Sequence, residues 1–161
     1  MRNDMKRLLI YYSLTGNCDY VGEEMRKFPL TDVEKLLVEK QPPLKGLGKF
    51  LHGGKSALLK EDPGLKPIRA DLNDYDEIVL CYPVWAGTCP PAINAFVKRY
   101  SLKGKRLFII AASASGNGNK SIEQLRKALN QCEFAGSLNL INPAARKEET
   151  VRKLAEAFTE E

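Results

Sequence analysis

Leu8-Leu9-Ile10-Tyr11-Tyr12-Ser13-Leu14-Thr15-Gly16-Asn17-Cys18 passes from an apolar run into a short hydroxyl-rich turn. The apolar part reads as a buried strand. Beyond the turn, Val21, Met25 and Phe28 recur at helical spacing, which predicts a helix over residues 17–28. A turn joining a parallel strand to a helix N-terminus suits a phosphate. Ser13 and Thr15 offer hydroxyl donors, Gly16 lets the backbone come close, and the first helical turn leaves unpaired N–H groups. The plain alternative is an ordinary strand-to-helix turn capped by Asn17 or Asp19. This stretch alone does not choose between them.

Working outward, strand and helix signals alternate to the end of the chain. Residues 32–38 read as a second strand and 76–82 as a third, entered from the polar Asp71-Leu72-Asn73-Asp74. Ile93, Phe96, Val97 and Tyr100 recur at helical spacing behind Pro90-Pro91, where a first turn tolerates proline. Residues 105–112 form a fourth strand, and Ile122, Leu125 and Leu129 mark the next helix. Residues 134–141 read as a fifth strand interrupted by Gly136. Val151, Leu154, Ala155 and Phe158 stripe a final helix. Strands this apolar need cover on both faces, which describes a doubly wound parallel α/β sheet in three layers. Between the second and third strands, the glycines and prolines of residues 41–74 allow only a short, irregular crossover helix and a loop.

The 161 residues, 43% of them apolar, suffice for a single domain with a core. No signal-peptide-like or membrane-spanning apolar run appears, so no membrane insertion is expected. Cys18, Cys81, Cys89 and Cys132 are scattered without a C-x-x-C pair, as suits reduced thiols in a cytoplasm. His52 is the only histidine, and no metal-ligand spacing is present. The net charge of +5 is dispersed and carries no aromatic-interleaved basic block, which argues against nucleic-acid binding.

In an open parallel sheet, ligands sit outside the carboxyl ends of the strands at the switch point, so the loops after strands one, three and four belong together. The second of them is Pro83-Val84-Trp85-Ala86-Gly87-Thr88-Cys89-Pro90-Pro91, with the chain's single tryptophan. That ring is either a hydrophobic plug over the sheet edge or a platform for a planar ligand. The third is Ser113-Ala114-Ser115-Gly116-Asn117-Gly118-Asn119, whose backbone N–H groups could approach a ligand closely. None of the three loops contains Asp or Glu. An anionic ligand fits that absence, whereas acid–base catalysis and magnesium binding do not.

On Ser13-x-Thr15-Gly16-Asn17, on Pro83-Val84-Trp85-Ala86-Gly87 with Pro90-Pro91, and on the glycine-rich loop at 113–118, the chain resembles the flavodoxin family over nearly its whole length. The resemblance implies a five-stranded sheet in the order 2-1-3-4-5 with FMN bound noncovalently at the strand ends. Ser13, Leu14, Thr15, Gly16, Asn17 and the Cys18 backbone would hold the 5′-phosphate. Pro83, Val84, Trp85, Ala86 and Gly87 would lie beside the isoalloxazine, with Trp85 packed on the ring and the 86–87 peptide facing N5, where it could flip. Ser113, Ala114, Ser115, Gly116 and Gly118 would approach the pyrimidine end. Two departures stand out. Cys18 replaces the usual Thr of the phosphate loop, and the third loop has no aromatic residue to cover the second flavin face.

Three functions compete. One is a redox protein carrying electrons between protein partners; another is an FMN-dependent NAD(P)H oxidoreductase reducing a quinone or similar small acceptor. The third is a binding module that has lost FMN. The missing nicotinamide fingerprint favours the first, and the open face and basic charge favour the second. Neither a dinucleotide-binding G-x-G-x-x-G nor the carboxylates of a receiver domain appear. His52 and Lys55 read as residues of a solvated loop.

Overall fold

A computed structural model describes residues 4–41 and 62–159. Five parallel strands, β1 (Arg7–Tyr11), β2 (Thr31–Lys35), β3 (Glu77–Pro83), β4 (Arg106–Ser113) and β5 (Glu133–Ile141), form one sheet in the order β2-β1-β3-β4-β5. Four helices, α1 (Asn17–Met25), α2 (Pro91–Arg99), α3 (Asn119–Ala128) and α4 (Lys147–Phe158), complete the described layers. This is the doubly wound sheet and strand order that the sequence implied. The crossover helix, together with His52 and Lys55, falls outside the described residues.

Strand periodicity sorts the apolar residues onto two faces. Leu8, Ile10, Ile78, Leu80, Leu107 and Ile109 face α2 and α3, where Ile93, Phe96, Ile122 and Leu125 pack. Leu9, Val79, Phe108 and Ile110 face α1 and α4, against Val21, Met25, Leu154 and Phe158. The continuous apolar runs of the central strands follow from this double cover.

Two sequence-based boundaries and one buried face shift. The second strand ends at Lys35 rather than residue 38, because Leu37 turns outward, 48% exposed, and Val38 forms an isolated antiparallel bridge to Leu65. The first helix ends at Met25, leaving Phe28 beyond it to pack edge-on to Phe158. On α4 the buried stripe is Thr150, Leu154 and Phe158, while Val151 is 42% exposed. Leu154 and Phe158 fix the inward face, and one turn earlier along it lies residue 150. Thr150 is accommodated there by donating its hydroxyl to the carbonyls of Arg146 and Pro143. The interruption expected at Gly136 is a bulge. Leu107 pairs with Phe134 and Phe108 with Gly136, so Ala135 is the extra residue.

Candidate functional site

At the carboxyl edge of the sheet, two loops are built alike. In Ser13-Leu14-Thr15-Gly16, the Ser13 hydroxyl accepts the Gly16 N–H at 3.2 Å. In Ser113-Ala114-Ser115-Gly116, the Ser113 hydroxyl accepts the Gly116 N–H at 2.8 Å. Both glycines are left-handed, with φ of 103° and 76°, a conformation that costs other residues about 1–2 kcal/mol. Each serine thus closes a tight loop after its strand and turns the following backbone toward the edge.

Past these glycines the two loops diverge. Gly16 is itself the N-cap of α1, with no side-chain cap, and the first helical bond runs from Tyr20 N to the Gly16 carbonyl. The N–H groups of Asn17, Cys18 and Asp19 find no acceptor among the described residues. A nine-residue helix therefore presents unpaired donors next to a glycine whose missing side chain would meet nothing within 4 Å. After the second loop, α3 starts later. There the Gly118 N–H is taken by Asn139 Oδ1 at 2.8 Å, and the N–H groups of Asn119, Lys120 and Ser121 likewise find no acceptor among the described residues. Gly118 also packs tightly, since a Cβ there would lie 2.6 Å from that of Ala111.

Between the two loops stands the turn Trp85-Ala86-Gly87-Thr88. Trp85 N donates to the Thr88 carbonyl at 2.8 Å and Thr88 N to that of Trp85 at 3.0 Å. Ala86 and Gly87 have φ of 50° and 77°, so this is a two-residue type I′ turn. Flipping its central peptide would keep Ala86 at positive φ but move its ψ into territory essentially reserved for glycine. The flip suggested by the family resemblance is thus opposed by Ala86. Trp85 is only 2% exposed and stands edge-on to Tyr12, ring centroids 5.5 Å apart. It forms a wall, and stacking on a planar ligand requires its face to be uncovered.

The loops enclose a cavity of about 300 Å³. Of the residues expected at the site, Leu14, Thr15, Asn17, Pro83, Val84, Trp85, Gly87, Ser113, Ala114 and Ser115 line it. Ser13, Gly16, Cys18, Ala86, Gly116 and Gly118 are not among the lining residues. Asn117, within the third loop but not singled out, lines it as well, and so do Ala112 and Asn142, which sequence reasoning missed. Asn142 follows β5 and adopts φ 40°. Its signal was available, because the end of a fifth parallel strand reaches the same edge. The loop that carries it is held down by Ala144 N, which donates to Asn17 Oδ1 at 3.1 Å across 127 residues. The Asn17 carbonyl oxygen therefore braces the β5–α4 loop.

Cys18 is fully buried, and its thiol meets that of Cys81 on β3. Burial first, then this thiol neighbour, push Cys18 well above the ordinary range. The side chain points into the core, so only its backbone N–H can serve an anion. A helix N-terminus lowers a thiol's pKa where it is exposed; here burial outweighs it. Cys81, invisible as a partner in the sequence, is the nearest thiol. Burial likewise raises Tyr12 to about 12 and Cys89 to about 11, with hydrogen bonding moderating the latter.

No Asp, Glu, Lys, Arg or His is among the described residues lining the cavity. The walls can bind through hydroxyls, amides, backbone and apolar surface, but hold no proton donor or acceptor near neutral pH. No group of metal-ligating side chains occurs among the described residues.

A family model for flavodoxin matches residues 6–157. The chain belongs to the flavodoxin family. Among solved structures, a proposed flavoprotein from Bacteroides eggerthii matches with a TM-score of 0.79 at 22% identity, over 98% of this chain and 100% of that one. A flavoprotein from Lactobacillus acidophilus, solved in complex with FMN, matches with a TM-score of 0.65 at 16% identity, over 89% and 97%. An NADPH-quinone reductase from P. pentosaceus matches with a TM-score of 0.59 at 15% identity, over 98% and 100%. At these identities the likeness is one of fold. No curated protein matches the chain significantly.

Proposed function

We propose that this flavodoxin-family chain is an FMN-binding redox protein that carries electrons between partner proteins. The observation behind this reading is the cavity's composition: donors for an anion at one end, room for a flat ring beyond them, and no acidic or basic side chain among the described residues that line it. FMN is its cofactor. The residues fit the group, because the unpaired N–H groups of α1 and the open space beside Gly16 suit a phosphate. Thr15 adds a hydroxyl, and the apolar walls at Val84, Trp85 and Ala112 suit a planar ring. When bound, FMN supplies one- and two-electron chemistry that the protein side chains cannot. The protein's own part is to hold the phosphate, exclude water along the Trp85 wall and offer the ring's edge to backbone N–H groups.

One observation favours a second reading, an FMN-dependent NAD(P)H oxidoreductase acting on a quinone or similar small acceptor. The 113–118 loop contributes only Ser, Ala, Gly and Asn, so no aromatic side chain from it closes the cavity. A small acceptor has access there.

The test is an anaerobic one with purified protein and added FMN. Stoichiometric binding, with reduction by dithionite but not by NAD(P)H alone, is the expected result. Rapid bleaching by NAD(P)H, reversed by quinone, selects the oxidoreductase. Failure to retain FMN overturns both and leaves a binding module.

A further inference from the structure

We propose that Lys120 makes the site favour reduced, anionic flavin over oxidised flavin. This deepens the function proposed above and rests on it. The argument begins with the cavity's polarity. The donors at the α1 N-terminus suit its anion-binding end, so a ring attached to a phosphate held there would extend toward Gly87 and the 113–117 loop. Among the described residues, no charged side chain lines that far end.

Just outside it stands Lys120, the second residue of α3. A methyl at Gly87 would lie 3.8 Å from Lys120 Cδ, so the lysine stem passes over the Trp85–Thr88 turn. One helical turn on, Gln124 accepts a hydrogen bond from Thr88 Oγ1 at 3.1 Å. Two residues one helical turn apart on α3 therefore lie against this turn, and the Lys120 stem runs along it. The ammonium pairs with no carboxylate among the described residues, and no acidic residue occupies the first turn of α3. A cation there also opposes the helix dipole, an arrangement that folding alone does not favour.

Reduction of bound FMN by two electrons and one proton, taken from a hydride donor or from dithionite with a solvent proton, leaves a monoanion. Oxidised FMN carries no ring charge. A cation beside the ring thus stabilises the reduced form selectively. At an exposed position and several ångströms' separation, Coulomb's law with solvent screening gives a preference of about three- to tenfold.

The experiment compares dissociation constants of the apoprotein for oxidised and dithionite-reduced FMN, in wild type, Lys120→Gln and Lys120→Arg. In Lys120→Gln, binding of reduced FMN is expected to weaken about three- to tenfold more than binding of oxidised FMN. A tenfold change corresponds to a two-electron midpoint lower by about 30 mV. Lys120→Arg should retain the wild-type ratio. If Lys120→Gln changes both constants equally, or neither, the inference is overturned while FMN binding stands. If wild type binds neither form, both readings fail together.

Discussion

The two edges of the sheet solve opposite problems. At the amino edge, Arg7, Glu77, Arg106 and Glu133 occupy one row of paired positions across β1, β3, β4 and β5. Their signs alternate, with Arg7 Nε on Glu77 Oε1 at 2.6 Å, Arg106 Nε on Glu77 Oε2 at 3.4 Å and Arg106 on Glu133 at 3.0 Å. Glu77 is 3% exposed, and the Arg7 guanidinium also stacks over Phe158 at 4.7 Å. At the carboxyl edge, the same strands end in a cavity that no charged side chain lines among the described residues, where helix donors stand unpaired among those residues. One edge is closed by its own ion pairs; the other leaves its polar groups to be completed by a ligand. Losing a partner is therefore costly at the edge away from the cavity, while binding belongs to the edge where hydrogen bonding is incomplete.

The largest expected effect breaks the closed edge. Glu77→Ala leaves two partly buried guanidinium groups without their shared partner, which costs about 3–5 kcal/mol. Urea unfolding should show this loss, while the FMN affinity of the molecules that remain folded stays at the wild-type value. A matching loss of affinity would mean that the two edges are coupled.

The open edge should respond to alkali instead. Burial raises Cys89 from 9.0 to about 11 in the folded chain. The unfolded thiol ionises first, so the contribution to stability is complete below pH 9 and is lost as the pH rises to about 11. The size is about 2–3 kcal/mol. Urea midpoints at pH 8 and pH 10.5 should diverge in wild type and diverge less in Cys89→Ala.

Gly16→Ala tests the open edge as a binding site. A φ of 103° strains alanine by about 1–2 kcal/mol, and the new methyl enters the space beside the helix donors. FMN titration should show affinity weakened about tenfold or more, with a smaller change in the unfolding midpoint. Unchanged affinity would place the phosphate elsewhere.

The smallest effect concerns the turn between the loops. Ala86→Asn creates the Asn-Gly pair favoured in type I′ turns and should raise stability by about 0.5–1 kcal/mol in thermal unfolding, because Asn tolerates left-handed φ better than Ala does.

Much of the closed architecture was legible because apolar runs dictate it. Leu8 to Tyr11, Ile78 to Tyr82 and Leu107 to Ala112 cannot avoid burial on both faces, and the intervening helical stripes supply the cover. Ser13, Thr15 and Gly16 marked the anion end for a similarly local reason, since hydroxyls and a left-handed glycine act within a few residues. Where competing residues were equally apolar, local pattern failed. Val151 looked like core, yet Leu154 and Phe158 fixed the helix face one residue away, and Thr150 was buried with its hydroxyl satisfied by the chain.

By itself, the sequence determined the alternation of elements, the switch-point edge and the residue types available there, all of which follow from short-range periodicity and backbone chemistry. Only the tertiary structure decided that Trp85 is a wall against Tyr12 and that Cys18 turns to Cys81. It alone showed that Asn142 joins the cavity through the Ala144–Asn17 bond and that Lys120 lies across Gly87. Each of these joins residues from different strand–helix units. Sheet order and packing set such distances, and no local pattern along the chain encodes them.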